Sequence, residues 1–364
     1  MSDKFRIDSH KLIFHPQRVS EWLSAKDDWE KSRKVYPIYL EISPVGFCNH
    51  RCTFCALDFM EYQNRKIDPN ILKERLREMA ELGIKSVMFA GEGEPTLYKE
   101  LPEMLDLCRE VGIDTSLTTN MVPFTEKNTE PFVKNCSWIK VSINAGNPEN
   151  YAEIHRTDPK DFDRVMQNMK RSVALRNEKK YKCTIGAQLL LLPDNYKSVT
   201  ELAKRVKDIG LDYLVIKPYS QHHSSKTRQF KDLDYSKYLD LHNKLEKFNS
   251  DNFSVIFRIA TMSKLINKPE RYLKCNSVPF FWAYIVSDGS VFGCSAFLED
   301  DNFNYGNIND NTFEQIWEGE RRKKGWEYVK NTLSIDKCRV NCRMDEVNYY
   351  LWELLNPSEH VNFI

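Results

Sequence analysis

Two groups of cysteines carry the chemistry that this 364-residue chain can offer. Cys48, Cys52 and Cys55 form a Cys-x3-Cys-x2-Cys run, and Cys275, Cys294, Cys338 and Cys342 form a second, wider group. Soft thiolates in such groups suit zinc or iron-sulfur clusters. Three thiols on one short loop can each bind one iron of a four-iron cluster, which leaves the fourth iron without a protein ligand. An open position of that kind accepts a chelating substrate, as the free ligand position of a catalytic zinc does. A zinc knuckle is the competing reading, although knuckles usually offer Cys-x2-Cys pairs and four ligands. Cys108, Cys136 and Cys183 stand apart and read as small buried hydrophobes.

Composition narrows the setting. With 53 basic and 52 acidic residues the formal net charge is +1, so no global field attracts a polyanion and a nucleic-acid substrate is disfavoured. No apolar run approaches the roughly 18 to 20 residues needed to cross a bilayer, and Met1 to His15 lacks the apolar stretch of a signal peptide. The cytoplasm is therefore the expected compartment, where thiols stay reduced and bind metal instead of pairing as disulfides.

The elements that must position these cysteines follow from periodicity. Short β-branched runs alternate with amphipathic stretches, as in βαβ units around a parallel sheet. Six strands are expected, at Ile38 to Ser43, Ser86 to Ala90, Asp114 to Thr119, Trp138 to Ile143, Thr184 to Leu191 and Tyr213 to Lys217. Helical patterns fill the gaps, among them Asn70 to Leu82, Leu101 to Val111, and Val199 to Ile209 with Ser198 as N-cap and Gly210 closing it. Six units fall short of the eight that close a barrel, so the fold class is α/β, a partial TIM-like (β/α)6 barrel over residues 38–255, with function at the carboxyl ends of its strands. Residues 1–37 read as a helical extension whose Trp22, Trp29 and Tyr36 can pack on the barrel. Tyr235 to Phe248 gives one more helical pattern. Residues 256–364 read as a small α+β domain that ends in the helix Asp345 to Leu355.

A second motif follows the second strand: Ala90-Gly91-Glu92-Gly93-Glu94-Pro95-Thr96. Gly93 would let backbone approach a ligand closely, and Glu94 offers a carboxylate to an ammonium group. The two motifs, in this order and at these strand ends, resemble the radical S-adenosylmethionine (SAM) family. The resemblance implies that Cys48, Cys52 and Cys55 hold a 4Fe-4S cluster, that SAM chelates the open iron, and that its amine meets Glu94. It also implies that the backbone at Phe54 lies near the adenine, that Ser142 and Asn144 contact ribose or carboxylate, and that Arg156 neutralises the carboxylate. A flavodoxin or ferredoxin-type electron donor is implied as a partner.

In the second group, Asp288-Gly289 reads as a hairpin turn that carries Cys294 on its returning strand, and Cys338-x3-Cys342 opens the last helix. Four such thiols can close a metal site completely, as a structural zinc or an iron-sulfur cluster. The arrangement resembles the twitch and SPASM auxiliary domains of radical SAM enzymes, which implies a second 4Fe-4S cluster. It departs from the short form in that three residues, not two, separate the final pair.

By the same resemblance the chain is expected to take a hydrogen atom from a small molecule, a carbohydrate, amino-cyclitol or nucleotide-sugar, with dehydrogenation or epimerisation as the outcome. Dehydrogenation would use Arg258 to orient or deprotonate a substrate hydroxyl. Epimerisation would need a thiol, for which Cys183 is the candidate. Lys217, Tyr219, His222 and His223, just past the sixth strand, are the expected substrate contacts. Modification of a ribosomally made peptide, and a non-catalytic iron-sulfur electron carrier, are the competing functions.

Overall fold

The computed structural model describes residues 4–7 and 9–363. Its strands are β1 (Tyr39–Ile42), β2 (Ser86–Phe89), β3 (Asp114–Thr119), β4 (Cys136–Ser142), β5 (Thr184–Leu191), β6 (Tyr213–Pro218), β7 (Ser254–Phe257), β8 (Trp282–Ile285), β9 (Ser290–Phe292) and β10 (Asn304–Asn307). They form one sheet in the order β10-β9-β8-β1-β2-β3-β4-β5-β6-β7, parallel from β8 through β7 and antiparallel at β8-β9 and β9-β10. The six expected strands are present in an open parallel arrangement, which β7 extends at one edge and β8 at the other. No ladder joins β7 to β8 among the described residues.

Alternation along the strands separates two faces. Leu40, Ile42, Val87, Phe89, Leu117, Ile139, Val141, Ile185, Ala187, Leu189, Leu214 and Ile216 are buried in the main hydrophobic core. The opposite face follows the strand register through Glu41, Met88 and Ser116, then through Lys140 and Gly186, with Gln188 and Val215 beside them. This inner face is mixed and mostly buried: Glu41, Ser116, Lys140 and Gln188 bring polar groups to it, and of the residues named only Lys140 and Gln188 are partly exposed.

The helices Pro69–Glu81, Leu101–Glu110 and Val199–Ile209 lie where the pattern places them. Asp68 caps the first through the amides of Asn70 and Ile71, and Gly210 ends the third at φ 90°. Ser198 does not cap that third helix. It closes a 3-10 turn (Tyr196–Ser198), and its hydroxyl accepts the Gly146 amide at 3.1 Å instead. The Tyr235 to Phe248 pattern divides into a 3-10 turn (Tyr235–Tyr238) and a short helix (Leu241–Glu246).

In the N-terminal segment, Pro16–Ala25 and Trp29–Ser32 are helical. Trp22 and Trp29 do not pack on the β1-to-β6 core. They join Phe281, Trp282 and Trp326 in a second core beneath the C-terminal region, and Tyr36 alone reaches the main core. No helix of the described residues is long and apolar enough to cross a membrane.

Candidate metal centres

The loop after β1 winds Cys48, Cys52 and Cys55 around one point. Its backbone is tied to the end of the helix Pro148–His155, through Arg51 N to the His155 carbonyl (3.2 Å) and Thr53 N to the Ile154 carbonyl (2.9 Å). Burial pushes the Cys48 thiol up to about 12, and the nearby Glu94 and Cys55 add to the shift. Burial likewise raises Cys52, reinforced by Cys55 and Cys48, and it raises Cys55. Three mutually opposed thiolates in a desolvated pocket need a cation between them, and soft sulfur donors suit iron-sulfur chemistry. Binding must displace the thiol protons, so affinity rises with pH.

Sequence reasoning passed over the histidines here. His50, Cys52 and His155 offer ligand atoms within 4.8 Å of one another. The Asn144 amide donates to His155 Nε2 (3.2 Å), which places the ring proton on Nδ1, 3.2 Å from Cys52 Sγ. With Nε2 already accepting, the Nδ1–H is the group left to donate to the Cys52 sulfur. The histidine therefore supports a sulfur ligand and does not compete for its metal.

The Gly-Glu-Pro segment braces this loop. A Cβ on Gly93 would lie 2.3 Å from the Phe47 carbonyl and 2.5 Å from that of Val45, so the close approach expected there is to the β1 loop itself, not to a ligand. Glu94 Oε1 accepts from Thr96 N (3.1 Å), Thr96 Oγ1 (2.6 Å) and Thr119 Oγ1 (2.6 Å), while Oε2 accepts from Asn120 N (2.7 Å). Most of its capacity is thus spent joining the ends of β2 and β3. Glu92 binds the Ser287 amide (2.6 Å) and Arg65 (3.0 Å), fastening the β8-β9 turn. Tyr284 Oη, beside Gly91 and Ser43 at the β1-β2 carboxyl ends, is buried without a hydrogen-bond partner among the described residues. An orphaned hydroxyl at that position suits a polar ligand such as SAM.

The other expected contacts divide. Phe54 packs edge-on against His155 at 5.7 Å. Ser142 ends β4, half-buried. Asn144 is buried and occupied, its side chain accepting the Leu190 amide at 2.7 Å. Arg156 is exposed yet close enough to Cys52 to favour its thiolate. Cys183 is buried just before the amino end of β5, with its thiol pushed up to about 12. An eight-residue strand spans about 25 Å, so Cys183 stands at the rim opposite the carboxyl-end site and cannot serve as a hydrogen donor there.

The four C-terminal thiols also converge. Cys294 is raised by burial and then by Cys342, Cys275 and Cys338, and burial lifts both Cys338 and Cys342 to about 12. Asn348 Nδ2 lies 3.5 Å from Cys275 Sγ. All four line a cavity of about 320 Å³ together with Lys140, Gln188, Lys217, Arg258, Arg339 and Arg343. Cys48, Cys52 and Cys55 do not line it. A groove of about 750 Å³ beside Lys268 and Leu273 is larger, but it meets only Cys338 among these thiols.

The segment after β6 joins the two centres. Tyr219 is buried with Phe54 in a small apolar cluster, and its amide donates to Tyr235 Oη at 2.6 Å. His222 Nδ1 accepts the Ser224 amide (3.1 Å), so Nε2–H donates to the Ser295 carbonyl (2.9 Å), next to Cys294, while the ring stacks on Phe59 at 4.9 Å. Burial lowers His222 to about 4. His223 is exposed and stacks on Phe297 at 5.7 Å. Thr227 Oγ1 donates to the Thr53 carbonyl (3.0 Å), and Arg339 holds the Ser220 carbonyl (3.2 Å). Lys217 lines the cavity, whereas Tyr219, His222 and His223 form the bridge.

A three-thiol loop on an open parallel barrel, backed by a four-thiol site, defines an iron-sulfur protein of the α/β class. The radical SAM superfamily model matches residues 42–206, and a model for an iron-sulfur cluster-binding domain, SPASM, matches residues 275–343. The chain thus carries a radical SAM domain followed by an SPASM domain: the first binds SAM and a 4Fe-4S cluster, and the second binds auxiliary iron-sulfur clusters. An S-adenosylmethionine-dependent nucleotide dehydratase of Lacinutrix mariniflava is 26% identical over 209 residues, 55% of this chain and 43% of that protein, so the match spans less than half of that relative. A tungsten-containing aldehyde ferredoxin oxidoreductase cofactor-modifying protein of Pyrococcus furiosus is 24% identical over 310 residues, 78% and 81% of the two chains. Streptococcus suis SuiB, solved bound to its precursor peptide SuiA, shares the fold at TM-score 0.63 and 22% identity, over 85% of this chain and 71% of SuiB.

Proposed function

We propose that the chain dehydrogenates a small, hydroxylated, sugar-like molecule held in the cavity between barrel and C-terminal domain. One observation carries this reading: the four auxiliary thiols and polar groups of the barrel's inner face line the same cavity. With SAM and both clusters bound, the site would supply one-electron chemistry: an acceptor for a substrate C–H hydrogen atom and, at the auxiliary thiols, an acceptor for the electron left once the O–H proton was lost to solvent. The chain's own residues do the rest. Cys48, Cys52 and Cys55 hold the loop cluster, with His155 donating to Cys52. Cys275, Cys294, Cys338 and Cys342 hold the auxiliary one. Arg258, on the cavity wall, orients the substrate hydroxyl. Epimerisation is disfavoured because Cys183 lies at the far rim. A cavity near the lower end of the small-molecule range suits a sugar or nucleoside better than a peptide.

The test uses anaerobically reconstituted protein, SAM and dithionite with the small-molecule fraction of cells grown in heavy water. Singly deuterated 5′-deoxyadenosine supports the reading. Deuterium that enters only from the peptide fraction of those cells would assign the chain to peptide modification instead.

A further inference from the structure

The inner face of the barrel brings positive charge to the cavity from separate elements: Lys140 on β4, Lys217 on β6 and Arg258 after β7, facing Arg339 and Arg343 from the C-terminal region. Arg343 pairs with Glu41 at 3.0 Å and Arg339 holds the Ser220 carbonyl, and both directly follow ligand cysteines, where an anionic thiolate site draws them. Among the described residues, the two carboxylates lining the cavity are also taken, Asp345 by Lys264 (2.9 Å) and Arg271 (3.1 Å), and Glu346 by Lys264. Lys140 and Lys217 are left. Neither makes a salt bridge or a side-chain hydrogen bond among the described residues: Glu41, the carboxylate near Lys140, is already paired with Arg343, and Lys140 otherwise has the Trp138 ring, 5.3 Å from Nζ. Burial and then mutual repulsion among these cations lower both amines. Two enclosed, unpaired ammonium groups are costly unless a counter-charge arrives, and a doubly charged anion supplies one.

We propose, resting on the functional reading above, that the substrate carries a phosphate group and that Lys140 and Lys217 bind it within this cavity. The phosphate anchors the substrate on the barrel wall, and its sugar-like portion extends toward the auxiliary thiols. Ammonium groups bind phosphate as point charges, so Arg should replace Lys here with modest loss and Gln should not.

The full chain with both centres reconstituted is titrated calorimetrically with inorganic pyrophosphate and, as a neutral control, glucose. Saturable one-to-one pyrophosphate binding is expected, weakened about tenfold or more by Lys140→Gln or Lys217→Gln and largely retained by Lys217→Arg. A second measurement needs no variant: crystals of the wild-type protein soaked in tungstate should show its anomalous peak between Lys140 and Lys217. Absence of saturable binding, or tungstate lodged only elsewhere, overturns the proposal. Wild-type protein that binds pyrophosphate at these lysines but forms no 5′-deoxyadenosine would sink the functional reading and leave the anion site standing. Protein that forms 5′-deoxyadenosine without binding pyrophosphate would do the reverse.

Discussion

The two thiol centres are built in opposite ways. Eight consecutive residues, Cys48 to Cys55, wind the first, whereas the second gathers its four thiols from between residues 275 and 342: Cys275 ahead of β8, Cys294 two residues past β9, and Cys338 and Cys342 in the segment before the helix Asp345–Leu355. The first leaves one ligand position to a substrate and depends on its surroundings, His155 and the Glu94 brace, for rigidity. The second can saturate its metal with protein alone and in return shares a cavity with the barrel lumen. The contrast is functional: an open centre can do chemistry on a bound cofactor, and a closed one can hold or pass electrons.

Removing one thiol from each centre breaks the comparison most severely. Cys52→Ala should reduce 5′-deoxyadenosine formation by at least about 10³-fold and cut iron from about eight to about four per chain. Cys294→Ala should lose a similar amount of iron yet keep measurable 5′-deoxyadenosine formation while substrate turnover fails. Equal loss in both variants would erase the distinction between open and closed centres.

The cavity gives the next largest effect. Burial, then Arg343 and Arg258 against the partial relief of Glu41, lowers Lys140 to about 8, and Lys217 faces the same cations. An empty cavity therefore loses positive charge as pH rises through 8. Pyrophosphate affinity, followed calorimetrically, should fall about tenfold between pH 7 and pH 9, and a flat profile would remove Lys140 from the site.

A smaller shift sharpens the contrast at the loop. A donor on Cys52 stabilises the more negative, reduced cluster, so His155→Leu should lower the loop cluster's potential by on the order of 50 mV, read by redox-poised electron paramagnetic resonance. The auxiliary signal should not move.

The smallest effect concerns the bridge between the centres. His222 is lowered to about 4 in the fold, so its contribution is complete above the ordinary value of 6.5 and declines as pH falls from there toward 4. Thermal unfolding of wild type should drop across that window by on the order of 2 kcal/mol, and His222→Gln should flatten the dependence.

How much of this was legible depended on locality. The loop centre is contiguous, so spacing alone exposed it, and the strands that carry it followed from β-branched runs between amphipathic helices. The auxiliary thiols were legible through one hairpin signal, Asp288-Gly289, whose Gly289 stands at φ 89°. Strand β8 was read as part of a hairpin only, because its pairing with β1 is a long-range contact that no local pattern encodes. His155 escaped notice because its partners, Cys52 and Asn144, are distant in sequence. Lys140 left a trace that went unread: Trp138, Lys140 and Ser142 alternate with Ile139 and Val141, which marks a strand with one polar face. Gly93 and Glu94 were noticed for the right motif, but their contacts turned inward, because a loop that must hold a cluster needs its own backbone fixed first.

The central claim is that the β1 loop holds a four-iron cluster with one iron open to SAM. The direct test is to reconstitute the wild-type chain anaerobically, reduce it with dithionite and add SAM with no substrate. The account predicts about eight irons per chain, a change in the reduced cluster's paramagnetic signal on adding SAM, and slow formation of 5′-deoxyadenosine and methionine. Zinc in the loop, with SAM recovered intact and the signal unmoved, would contradict it.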